Sequence, residues 1–362
     1  MKKTLSLLAL AASLATTAQA QETKVGVGIS GWTGFAPLTL AKEAGIFKKN
    51  GLDVSIKKIP QKDRHLAIAS GDVQCAATTV ETWIVWNANG VATTQIFQLD
   101  KSYGADGMIV KSGITKIADL KGKTVAASAP GTAPYFGLAW MLKKNGVSIK
   151  DVKVVNLEPQ AAANAFIAGT GGLDAGMTYE PYLSGVRAKP EAGTIIATTL
   201  DYPMVMDTFG CTPKFLAENP KAAKALADSY FEALELIKKD PKKSFEIMGA
   251  DVKQSGEAFE KSQAYLRWQD KAANQKFFAG EHAAFSKEAA ELLLEVGIIK
   301  AIPDLSKLPT RAPSSKSACV HCERYRPGPA WPWACPSSCS SSPSGPSPPS
   351  AALSRRPFWP TR

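Results

Sequence analysis

Three times between Lys24 and Asn89 a short apolar run gives way to a helix-period stretch, and that rhythm narrows the folds open to this chain more than any other feature. KVGVGI (24–29) alternates and predicts a strand, and residues 36–50 predict one helix closed by Asn50-Gly51. A strand at 52–59, a helix at 62–70 ending on Gly71, a strand at 73–78 and a helix at 80–89 follow. Such a βαβαβ series predicts a parallel or mixed sheet covered by helices. A further strand is predicted at 93–99.

The unit then restarts. Strands are predicted at 107–111, 124–127, 152–157, 175–178 and 195–200, with helices at 133–145 and 161–168. From Pro213 to about Val296 the chain is mainly helical, too long for a linker, and is expected to pack back onto the first unit. Two α/β units in succession predict a cleft between lobes, because open α/β sheets bind ligands beyond the carboxyl ends of their strands.

The strand-to-helix corners are the candidate site. In HLAIASGDVQCAATTVET (65–82) a strand ends in Thr78-Thr79 just where a helix begins. Similar corners recur at Ser30-Gly31-Trp32-Thr33-Gly34 and at Ala129-Pro130-Gly131-Thr132. Ser and Thr cap helices in any protein, but three such corners together point to loops around one site, where helix N-termini offer free N–H groups. Trp32, Thr33, Thr78, Thr79, Thr132 and Tyr135 are therefore candidate ligand contacts.

Four acids join them: Glu81 in the first turn after Thr79, Asp106 in GADG, Glu180 before Pro181, and Asp207 in VMDT. Each alone reads first as a helix-end or surface charge. Two or more facing one closed cleft would repel an inorganic anion and suit an amine, amidine or nitrogen heterocycle. Trp32, Trp83, Tyr103, Tyr135 and Tyr179 are candidate flat walls, whereas Trp86 and Trp140 read as core. No basic residue is obviously placed for sulfonate or nitrate; Arg64 and His65 open a helix, and His65 is within reach of the cleft. No catalytic set, metal site or cofactor site is expected in the body. Cys75 and Cys211 leave two alternatives open, a disulfide or two buried thiols.

Lys2-Lys3, the apolar run Leu5–Leu14 and Ala18-Gln19-Ala20 predict that residues 1–20 are a secretory signal peptide. A soluble, exported product, not inserted in a membrane, is expected. The formal charge of the 362-residue chain is +11, of which residues 1–20 carry +2 and the segment from Pro309 carries +6. The remaining +3 on residues 21–308 offers no field for nucleic acid. Half of the 24 prolines and four of the six cysteines lie in residues 309–362. Cys319, Cys322, Cys335 and Cys339, with His321, have spacing that would suit zinc. The preferred reading is out-of-frame translation of a GC-rich gene, which gives a disordered, non-native tail.

The stretches GWTGFAPLTLAKEAGIFKKNGLDV, HLAIASGDVQCAATTVET, IADLKGKTVAASAPGTAPYFGLAWML and LDAGMTYEPYL, in this order over roughly residues 24–300, resemble the periplasmic substrate-binding proteins of ABC transporters. The resemblance is to the nitrate/sulfonate/taurine type, which also includes thiamine-pyrimidine-precursor binders. It implies a two-lobe, type II-like periplasmic-binding-protein fold, with a two-strand hinge near Ser102–Gly104 and Asp201–Pro203. Lobe 1 would take 21–105 and 204–308, and lobe 2 would take 106–203. It also implies a monomer that captures a small nitrogen- or sulfur-containing solute and docks transiently on a permease. Two alternatives stand beside this reading. One is a pyrimidine-precursor-type enzyme on the same scaffold, which is expected to carry a cysteine cluster that the body lacks; the other is a secreted ligand sensor.

Overall fold

The computed structural model describes residues 22–309. The signal-peptide reading of 1–20, and the zinc and frameshift readings of the tail beyond Pro309, lie outside the described residues. The first lobe opens with β1 (Thr23–Ile29), α1 (Ala36–Glu43), α2 (Ile46–Lys49), β2 (Leu52–Lys58), α3 (Gln61–Ala69), β3 (Cys75–Thr79), α4 (Val80–Ala88) and β4 (Thr94–Ser102). The single helix expected over 36–50 is two helices. Gly45 sits between them at φ +72°, a left-handed conformation that glycine adopts without steric cost.

The chain crosses once into β5 (Asp106–Val110), β6 (Thr124–Ala127), α5 (Ala133–Lys144), β7 (Lys153–Asn156), α6 (Pro159–Ala168), β8 (Ala175–Tyr179), α7 (Tyr182–Arg187) and β9 (Thr194–Thr198). It then returns through β10 (Met206–Cys211), α8 (Pro213–Glu218), α9 (Ala222–Lys239), α10 (Pro241–Asp251), α11 (Gly256–Gln263), β11 (Leu266–Trp268), α12 (Lys271–Lys276) and α13 (His282–Glu295). Sequence reading missed α7, β10 and β11. β11 is three residues long and α7 is a single short helix, so neither repeats a period long enough to stand out.

The two sheets follow one plan. The first has the order β11-β4-β10-β3-β1-β2 and the second β7-β6-β8-β5-β9. In each, three strands are parallel, β2-β1-β3 and β7-β6-β8. In each, the strand that has just crossed from the other lobe lies antiparallel against the third: β10 against β3, and β5 against β8. The crossings run side by side. Ser102 N donates to the Val205 carbonyl at 3.1 Å, and Gly104 N donates to Thr199 Oγ1 at 2.8 Å.

Helices α8 to α11 pack on the first sheet, with Leu226, Tyr230 and Phe259 in one core with Val25, Leu38 and Phe97. Helix α13 does more than that. Its Phe285 ring lies 6.4 Å from Phe136 and 6.0 Å from Trp140 of α5, and the same apolar cluster holds Trp83 and Trp86 of α4. An apolar seam therefore joins the lobes. Trp86 and Trp140 belong to this core, as expected.

Candidate functional site

All three corners lie at helix starts, yet none of their side chains caps its helix. Simple N-capping therefore does not explain the hydroxyls. Gln61 of α3 reaches across the cleft instead. Its Nε2 donates to Thr78 Oγ1 at 2.8 Å, to Thr82 Oγ1 at 3.0 Å and to Thr79 Oγ1 at 3.4 Å. Its Oε1 accepts the N–H of Ala133, the first residue of α5 in the other lobe, at 3.1 Å. Thr79 Oγ1 donates to Glu81, and Thr82 Oγ1 donates to the Gly131 carbonyl at 3.3 Å. Thr132 Oγ1 turns back to the Ala129 carbonyl at 2.7 Å. The corner hydroxyls thus latch two lobes through one glutamine.

Beside this latch lies a small cavity of about 20 Å³. The first lobe lines it with Ser30, Trp32, Phe35, Gln61, Arg64, Thr79, Val205 and Asp207, and the second with Asp106, Ala133 and Tyr179. Of the expected contacts, Trp32, Thr79, Asp106 and Asp207 reach it, as does Tyr179 from the candidate walls. Trp32 and Tyr179 meet edge to face across the cleft, with centroids 5.4 Å apart.

The other expected residues stand elsewhere. Thr33, Thr78, Glu81 and Thr132 are buried just behind the lining. Tyr135 is half-buried against the apolar seam. Trp83 is core and Tyr103 is exposed on the surface. His65 packs beside Trp86, with ring centroids 6.2 Å apart, and does not line the cavity. Glu180 is not at the cavity either: its carboxylate pairs with Arg187 and accepts Ser184 N at 3.2 Å. Arg187 in turn donates to the Gly104 carbonyl at 2.7 Å and stacks 3.9 Å from the Tyr265 ring centroid. That acid anchors α7 to the crossing.

Three contributors escaped the sequence reading as site residues. Gln61 and Arg64 lie on α3, a turn before the region with the clear motif. Asp100 is on β4, directly opposite Asp207. The Trp32 indole N–H donates to the Asp100 carboxylate, with Nε1 3.2 Å from Oδ1. Gly34 is required beside this contact, since a Cβ there would collide with both Trp32 Nε1 and Asp100 Oδ2. Arg64 is 1% exposed, the one signal of its role, and sequence gives no access to burial. Its Nε and Nη2 donate to the Ile59 carbonyl at 3.2 and 3.0 Å, and its Nη1 donates to the Ala77 carbonyl.

The electrostatics follow from burial. Desolvation raises Glu81 to about 8, Asp100 to about 8 and Asp106 to about 7. Burial also raises Asp207 well above the carboxylate range, and the charge of Asp100 adds to it. Asp100 and Asp207 are hydrogen-bonded to each other, which requires a shared proton. Burial lowers Arg64 to about 10, partly offset by the acids around it. One cation thus stands among four carboxyl groups. A larger groove of about 690 Å³ over α9 and α12 is open, and its Lys224 and Lys271 pair with Asp228.

Residues 32–244 match the sequence profile of the NMT1/THI5-like family. The chain belongs to that family. The taurine-binding periplasmic protein of Escherichia coli (strain K12) is 28% identical over 234 residues, which cover 63% of this chain and 70% of that protein. A Brucella abortus protein named as a binding protein is 26% identical over 255 residues, 67% of this chain and 78% of its own length. The solved alkanesulfonate-binding protein SsuA from Xanthomonas axonopodis pv. citri, bound to MOPS, superposes with a TM-score of 0.69 at 17% identity. That match covers 81% of this chain and all of that one. The fold of this NMT1/THI5-like protein is accordingly the periplasmic-binding-protein fold, with two lobes and an interlobe cleft. No helix among the described residues is long and apolar enough to cross a membrane.

Proposed function

We propose that this protein is a periplasmic solute-binding protein: it captures a small nitrogen- or sulfur-containing organic solute between its lobes and delivers it to the permease of an ABC transporter. The observation that carries this reading is the small cavity between the lobes, lined by residues of both at once. A solute held there touches both lobes only when they are closed, so its differential affinity favours closure. The names of the relatives support a binding role. The Cys75–Cys211 disulfide suits an oxidising compartment and, with the signal-like segment 1–20, supports export. It also leaves no free thiol among the described residues for the iron motif of a pyrimidine-precursor enzyme.

In this reading lobe 1 comprises 21–105 and 204–308, lobe 2 comprises 106–203, and the chain acts as a monomer that docks transiently on the permease. No covalent step is involved. A thermal-shift screen of the full chain tests it, with taurine, alkanesulfonates, nitrate, aminomethylpyrimidines, guanidines and short amines. A solute at about 1,000 times its Kd adds roughly 4 kcal/mol and raises Tm by several degrees. Silence across the whole panel would remove the reading.

A further inference from the structure

We propose that the solute is a small organic cation whose ammonium, amidinium or guanidinium group seats on Asp106, beside the edge-to-face pair Trp32 and Tyr179. This rests on the solute-binding reading and narrows it. Asp106 lines the cavity, is 5% exposed, and its Oδ2 has no hydrogen-bond partner. A buried acceptor left unpaired is costly unless a donor arrives. Behind Thr79, Glu81 Oε2 is also buried and unpaired. Asp207 faces the same space.

The two devices that would hold an anion are partly committed within the protein. Arg64 commits three of its five N–H groups, on Nε, Nη1 and Nη2, to main-chain carbonyls. The first N–H of α5 is taken by Gln61 Oε1. A sulfonate or nitrate would enter among carboxylates, beside one cation that is already bonded to the main chain. A cation would find one free carboxylate oxygen and two aromatic rings, the recurrent partners of charged nitrogen.

Binding should release protons. The charged groups around Asp106 are Glu81 on α4, Asp100 on β4, Asp207 on β10, Glu180 after β8 and Arg64 on α3. Burial holds the acids partly protonated near neutral pH. A cation stabilises the ionised form, so a proton leaves as it binds, and affinity rises from pH 6 to pH 8.

Titration calorimetry on the full chain tests this at pH 7 in two buffers of different ionisation enthalpy. Methylguanidine, acetamidine and ethylamine are the cation probes; methanesulfonate, ethanesulfonate and nitrate are the contrasts. The expected result is binding of at least one cation with proton release, and loss of at least tenfold in affinity in Asp106→Asn. Proton release in the wild-type chain is a readout independent of how the variant folds. If methanesulfonate, ethanesulfonate or nitrate binds more tightly than every cation, the cation assignment falls and the solute-binding reading stands. Cation binding without proton release, or unchanged in a folded Asp106→Asn, also overturns the assignment. Silence from all six probes overturns it as well, while the wider reading is then decided by the broad solute screen.

Discussion

The two lobes place an acid at the same point of the same plan, and they treat it differently. In each, the strand arriving from the other lobe begins with an aspartate at or near its first residue, opposite the last residue of the third parallel strand. Asp207 of β10 faces Thr79 of β3, and Asp106 of β5 faces Tyr179 of β8. Asp207 has a second neighbour, Asp100 on β4, and the pair shares a proton. Asp106 has Thr199 on its other side, whose N–H donates to the Asp106 carbonyl at 3.1 Å, and its Oδ2 is unpaired. The same backbone position is thus satisfied within the protein in lobe 1 and open to a donor in lobe 2. Sheet pairing creates the site, and the residue on the far neighbouring strand decides whether its charge is spent.

The lobes also differ in how they are held, and that difference can be broken. Lobe 1 is stapled by Cys75–Cys211, which joins facing residues of β3 and β10 whose Cα atoms are 3.9 Å apart, across 136 residues of sequence. The described part of lobe 2 has no disulfide. Replacing both cysteines by alanine should cost about 4 kcal/mol in urea unfolding, since the cross-link closes a long loop. A cost under 1 kcal/mol would mean that the staple is incidental.

Lobe 2 relies instead on Glu180 and Arg187 at the crossing. Glu180 is fully buried while Arg187 keeps contact with solvent. Glu180→Gln should therefore destabilise by about 2 kcal/mol, less than a fully buried pair would. Solute affinity should stay within a factor of two, because this carboxylate is not at the cavity. An affinity loss larger than the stability loss would return Glu180 to the site.

The smallest effect, taken per pH unit, sharpens the comparison of the aspartates. Burial raises the folded-state values of Glu81, Asp100 and Asp106 above those of an unfolded chain, so the folded state holds protons that the unfolded state has lost. Their stabilisation is complete below about pH 4 and disappears as pH rises through 7 to 8. Between pH 5 and 8 solute-free protein should lose at least about 1 kcal/mol per pH unit, roughly 2 °C of Tm. His282, which burial keeps at about 4, is neutral throughout that window and does not oppose the trend. A saturating cation should flatten the profile, and a Tm that rises toward pH 8 without solute would contradict the placement of these acids.

By itself the sequence determined the alternation of strands and helices, the restart after residue 104, and the three corners, because apolar period and Gly/Thr punctuation are local properties. It also brought out Asp106 and Asp207, through their place at the expected crossings. It could not separate them from Glu180, the acid before Pro181, since only the neighbouring strands distinguish the three. The tertiary structure decided the Cys75–Cys211 pairing, which depends on the register of β10 against β3. It decided that Gln61 bridges the lobes, and that Arg64 and Asp100 are buried beside the cavity. A side chain's charge state and hydrogen-bond partners depend on what long-range packing removes from water, and strand order, unlike strand period, is not written in any local window.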